Sequence, residues 1–93
     1  MPIYEFPGFC LDSDLEFQVL KNNLGPTLCN EKENLVFSFM TNSLYFGTPK
    51  SGFFDEISGR NIVECSVKQG NRKYVLSYNK REKFFKLKTE NLQ

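Results

Sequence analysis

The strongest pattern in the chain is an alternation of apolar and polar residues with a period of two, running from Asn61 to Thr89. It passes through NIVECSVKQ, RKYVLSYNKRE and KFFKLKT, and Gly70-Asn71 separates the first two runs. A Gly-Asn pair between alternating runs predicts a two-residue hairpin, because Gly supplies the positive φ that opens a type II′ turn. Closing the turn there sets Gln69 opposite Arg72, Val67 opposite Tyr74, Cys65 opposite Leu76 and Val63 opposite Tyr78. Side chains alternate across a strand, so these residues share one face, which Phe85 and Leu87 continue on a third strand. The other face receives Lys68, Lys73, Phe84, Lys86 and Lys88 among polar neighbours. A slip of one residue would mix the two sets, so the pattern and the turn specify one register.

Upstream, Pro2 to Phe6 reads as a short strand ended by Pro7-Gly8. Ser13 and Glu16 have the spacing of a capping box, and Gly25-Pro26 has the form of a helix stop. Phe17, Leu20 and Leu24 between them share one helical face, so the sequence predicts a helix over 13–25. The competing pattern is a strand, because residues 15–19 also alternate. Residues 26–33 read as a polar connection. NLVFSFM and SLYFGT then form a hairpin about Thr41-Asn42, with Phe39 facing Leu44 and Phe37 facing Phe46. Residues 47–60 read as a long loop carrying Phe53-Phe54. The predicted order is β-α-ββ-βββ: an α+β fold with a curved antiparallel sheet of five or six strands and one short helix packed on it. In the order of its elements alone, helix then meander, this is similar to cystatin-like folds.

The 93 residues suit a single domain spanning 1–93. Its core would lean on 10 Phe and 4 Tyr, with no Trp. The Phe-, Asn- and Lys-rich, Ala-free mix points to an AT-rich coding sequence, as in many viral and mobile-element genes. The net charge of +1 conceals a division. Through Val67 there are four basic and nine acidic residues, a net −5; from Lys68 onward there are eight basic and two acidic, a net +6. Such a division can steer an anionic partner or pair the chain with its own acidic half.

Cys10, Cys29 and Cys65 are odd in number and widely spaced, which predicts reduced thiols in a cytoplasmic setting rather than a disulfide framework. The N-terminal residues lack a signal-peptide pattern, and the longest apolar run, Leu35 to Met40, is too short to span a bilayer. A soluble protein without membrane partners is expected.

Catalytic chemistry finds little support. There is no His, the commonest general base near neutral pH and the usual partner of a nucleophilic Ser or Cys. Three cysteines make an incomplete zinc set, and the acidic pairs Asp12/Asp14, Glu31/Glu33 and Asp55/Glu56 fall at predicted loops or the helix start. No catalytic, cofactor or metal site is expected. Two binding readings remain. Phe53, Phe54, Asp55 and Glu56 resemble an apolar anchor with a charged rim, as in a protein-binding inhibitor, adaptor or accessory protein. Alternatively Lys68, Lys73, Lys86 and Lys88 could neutralise nucleic-acid phosphates while Phe84 stacks on a base. The protein partner is the preferred reading because it requires no residue type the chain lacks.

Overall fold

The alternating runs fold mostly as strands in a computed structural model that describes residues 2–6, 9–22, 25–40, 43–50, 52–56, 64–79 and 81–92. Among the described residues ten strands form: β1 (Ile3–Phe6), β2 (Phe9–Ser13), β3 (Gln18–Asn22), β4 (Gly25–Asn30), β5 (Leu35–Met40), β6 (Ser43–Gly47), β7 (Gly52–Glu56), β8 (Glu64–Gln69), β9 (Arg72–Asn79) and β10 (Phe84–Asn91). No helix occurs among the described residues, so none there crosses a membrane. The fold is all-β, which overturns the α+β expectation and ends the likeness to cystatin-like folds.

The reason lies at Ser13. Its hydroxyl accepts the N–H of Leu15 at 2.9 Å and donates to the Leu15 carbonyl at 2.8 Å. This tight local turn ends β2 and spends the side-chain oxygen that a capping box would have aimed one residue further along. The chain then re-enters a strand at Gln18, and Gly25-Pro26 opens β4 instead of stopping a helix. Pro26 is tolerated because the pairing of β4 with β5 begins only at Thr27.

The chain divides into two compact units, one of residues 1–16 with 61–93 and the other of residues 17–60. The first holds a five-stranded sheet in the order β1-β2-β10-β9-β8. Its β8–β9 register is the predicted one: Gln69 opposes Arg72, Val67 opposes Tyr74 and Cys65 opposes Leu76. Gly70 has φ +59°, as the turn requires. Val63 lies outside the described residues. Phe85 and Leu87 of β10 pair with Tyr78 and Leu76, and Tyr74, Leu76, Phe85 and Leu87 are all buried. Phe85 stacks on Tyr78 at 4.3 Å between centroids and meets Phe9 edge-on at 5.6 Å.

The strand the meander lacks comes from the other end of the sequence. β2 runs parallel to β10, setting Cys10, Leu11, Asp12 and Ser13 beside Phe84, Phe85, Lys86 and Leu87. Cys10 N–H donates to the Lys83 carbonyl at 3.1 Å at one end, and Asp14 N–H donates to the Leu87 carbonyl at 3.3 Å at the other. Past Ser13 the backbone turns away, yet the ladder gains one more rung. The Asp14 carboxylate accepts the Thr89 N–H at 2.6 Å and the Thr89 hydroxyl at 2.8 Å, so a side chain replaces the carbonyl that a continuing strand would offer.

The second unit holds an antiparallel meander in the order β3-β4-β5-β6-β7. Phe39 opposes Leu44 and Phe37 opposes Phe46, as the alternation predicts. Two rows cross this sheet on opposite faces. Val19, Leu28, Phe37, Phe46 and Phe53 form one; Leu20, Thr27, Ser38, Tyr45 and Phe54 form the other. Leu28, Leu35, Phe37, Leu44 and Phe46 are buried, and the buried Ser38 hydroxyl lies 3.3 Å from that of Thr27. The β4–β5 turn is built like the β9–β10 turn. In each an Asn side chain caps the N–H three residues on (Asn30 to Glu33, 2.8 Å; Asn79 to Glu82, 3.1 Å), and the residue after that is left-handed, Asn34 and Lys83 both at φ +55°.

Candidate interaction surface

The exposed face of the first sheet gathers Lys68, Lys73, Phe84, Lys86 and Lys88, as the register predicts. Lys68, Lys86 and Lys88 are exposed, while Lys73 and Phe84 are half-buried. The parallel seam changes the electrostatics of this face, because it brings residues of the acidic half into the same rows. One row runs Lys68, Lys73, Glu90; another, two strand positions further along the face past the Lys88 row, runs Glu64, Ser77, Lys86, Asp12, Ile3; a third runs Asn79, Phe84, Cys10, Glu5. Lys88 shares its row with Ser66 and Val75, and the Asp14 carboxylate holds the next residue, Thr89. Lys68, Lys73, Lys86 and Lys88 are therefore set among Glu5, Asp12, Glu64 and Glu90. The charge division of the sequence is cancelled across this face.

A cleft of about 390 Å³ opens on the seam, lined by Asp12, Asp14, Lys86, Leu87, Lys88, Thr89 and Glu90. Both signs of charge converge there. Lys68 and Lys73 stand directly opposite one another, an arrangement that like charges disfavour, and Glu90 on the other side of Lys73 offsets it.

Phe53, Phe54, Asp55 and Glu56 do not lie in a loop: their backbone is strand β7, paired along its length with β6. Consecutive strand residues take opposite faces, so Phe53 belongs to the row of Phe46 and Phe54 to that of Tyr45. Their side chains lie outside the described residues. Gly52, which opens β7, approaches Gly47 so closely that a Cβ would sit 2.7 Å from Gly47 Cα and from the Phe46 carbonyl. The Tyr45 hydroxyl closes this corner by donating to the Thr48 carbonyl.

The three cysteines are free and half-buried. Burial, with a smaller contribution from the adjacent Glu64 carboxylate, pushes the Cys65 thiol up to about 11, so it is protonated at neutral pH. Among the described residues, no three Cys, Asp or Glu side chains come together as a metal site.

The exposed edge strand β3 has no forewarning in a helical reading of residues 13–25. Val19 is 46% exposed and Leu20 48%. Asp12 and Asp14 were visible as an acidic pair, but no local signal places them beside lysines some seventy residues away. Comparison of the chain with protein-family models, curated proteins and solved structures gives no match. The reading of the surface therefore rests on its own geometry.

Proposed function

We propose that this chain is a non-catalytic protein-binding module, of the inhibitor, adaptor or accessory kind, that meets its partner through the charge-striped face of the β1-β2-β10-β9-β8 sheet. The observation that carries the reading is the insertion of Asp12 and Asp14 next to the lysines of β10, with Glu5 one strand further out on the same face. A partner with charges of both signs matches such rows in one register and is penalised in others, which is how charge patterns give specificity between proteins. A polyanion gains less. Lys86 lies one strand spacing from Asp12, and Lys73 from Glu90, so phosphates would meet repulsion along with attraction. Phe84 is half-buried between Asn79 and Cys10 and offers less than a full ring face for base stacking. Three free thiols suit a reducing, cytoplasmic compartment.

The test is affinity capture with nuclease present, using the wild type and Lys86→Glu/Lys88→Glu. The expected result is a protein partner that survives nuclease and is lost with the double reversal. Tight wild-type binding of a single-stranded oligonucleotide, falling steeply with added salt, would instead establish the nucleic-acid alternative.

A further inference from the structure

Four strands lie at the edges of the two sheets: β1, β8, β3 and β7. Edges invite the addition of another strand, and proteins usually guard them with charges. β1 carries Glu5, β8 carries Glu64 and Lys68, and β7 carries Asp55 and Glu56. β3 reads QVLKN, with Lys21 as its one charge and two adjacent exposed apolar residues, Val19 and Leu20. Like β1, whose one charge is Glu5, it is guarded by a single charge, but it sets two adjacent apolar residues in solvent, and among the described residues no strand pairs with its outer side.

We infer that β3 is a self-association edge, pairing antiparallel with β3 of a second copy about a two-fold axis at Leu20. The backbone sets the parity. Asn22 opposes Gly25 across a two-residue connection, and the closing pair of such a hairpin is hydrogen-bonded. Alternation then commits Leu20 and Gln18 to β4 and turns the N–H and C=O of Val19 and Lys21 outward. A two-fold axis normal to the sheet must be centred on a residue facing itself. Centring on Lys21 sets two lysines face to face, and centring on Val19 sets each Leu20 against Gln18. Centring on Leu20 lets Val19 exchange both backbone bonds with Lys21 of the second copy, on each side of the axis. It places Leu20 against Leu20 in the closer, non-hydrogen-bonded pair, and Gln18 against Asn22. No like charges meet, and the two five-stranded sheets become one.

This interface uses a different sheet from the charge-striped face. A monomeric wild type would overturn the inference and leave the proposed function to its own test. Sedimentation velocity over a concentration series should show a reversible wild-type dimer. Leu20→Lys and Leu20→Glu should each raise the dissociation constant by more than about tenfold, because like charges then oppose across the axis. An equimolar mixture of the two variants should recover a dimer, which only a register with Leu20 facing itself allows. Val19→Pro removes an outward N–H and should also give a monomer, with the far-ultraviolet circular dichroism of the wild type. A dimer that persists in Leu20→Lys, or variants that stay monomeric when mixed, would refute the pairing.

Discussion

Removing the Asp14 carboxylate tests whether the parallel seam is held at its end by a side chain. Asp14 accepts two hydrogen bonds from Thr89, at 2.6 and 2.8 Å, from its backbone N–H and its hydroxyl. Hydrogen bonds to a charged acceptor contribute about 1.5–3 kcal/mol where water is excluded. Asp14 is exposed and Thr89 half-buried, so the lower end applies and Asp14→Ala should cost about 2 kcal/mol in urea unfolding. Asn at position 14 can still accept the N–H and donate to the hydroxyl, which holds its cost below about 1 kcal/mol. Thr89→Val removes only the hydroxyl bond and should cost about 1 kcal/mol. In the double variant the two losses should overlap by about that amount, since they share one bond. Amide exchange localises the effect: protection at Thr89 should fall sharply in Asp14→Ala while that at Leu76 tracks global stability. Equal costs for Ala and Asn, or unchanged protection at Thr89, would refute the carboxylate as the terminal rung.

Gly52→Ala should destabilise the β6–β7 hairpin by about 1–3 kcal/mol, read as a lower Tm, because the added Cβ meets backbone of Gly47 and Phe46 at 2.7 Å. Lys83→Asn should raise stability by about 0.5–1 kcal/mol in a denaturant titration, since Lys83 sits at φ +55° where the matching turn carries Asn34. Stability should fall as pH rises from about 9 towards 11. Burial holds the Cys65 proton up to about 11 in the folded chain against 9.0 when unfolded, and Tyr78 is raised for the same reason, so the folded state binds more protons across that window. Melting curves at pH 8, 9.5 and 11 measure this, and Cys65→Ala should flatten the decline.

The parts of the fold legible in the sequence are those where local alternation and turn chemistry agree. Gly70-Asn71 fixed one register and Thr41-Asn42 another, and the observed pairs Val67–Tyr74 and Phe37–Phe46 follow from them. The helix over 13–25 failed because it rested on punctuation and a sparse three-residue stripe, Phe17, Leu20 and Leu24, against a competing alternation. Ser13 with Glu16 and Gly25 with Pro26 are start and stop signals, yet residues 15–19 alternate with a period of two. Hydroxyl and glycine chemistry serves strand ends equally well: Ser13 makes a local turn, and Gly25 begins β4. Phe53-Phe54 was misplaced in a loop because Gly52 and Pro49 resemble loop residues, whereas Gly52 is there to let two strands approach.

The parallel seam was out of reach for a different reason, and it decides the electrostatics of the candidate surface. Pairing β2 with β10 joins residues some seventy positions apart, with the whole β3–β7 meander between them in sequence. Parallel pairing carries no turn signal, since the connection is made by everything that intervenes. Yet a trace of it was present in the charges. A chain of net −5 in one portion and +6 in the other gains by bringing the portions together, and the seam does so by setting Asp12 beside Lys86 and binding Asp14 at Thr89. Each exposed charge pair contributes little by itself. Their joint effect is to disfavour alternatives, because a β10 edge left open would expose a lysine-rich strand to any acidic segment. On this argument the basic C-terminal run is first an intramolecular docking strip for the acidic N-terminus. What remains for a partner is the charge-balanced face that this docking creates, so a variant that neutralises Asp12 and Glu5 should turn the same face into a phosphate binder.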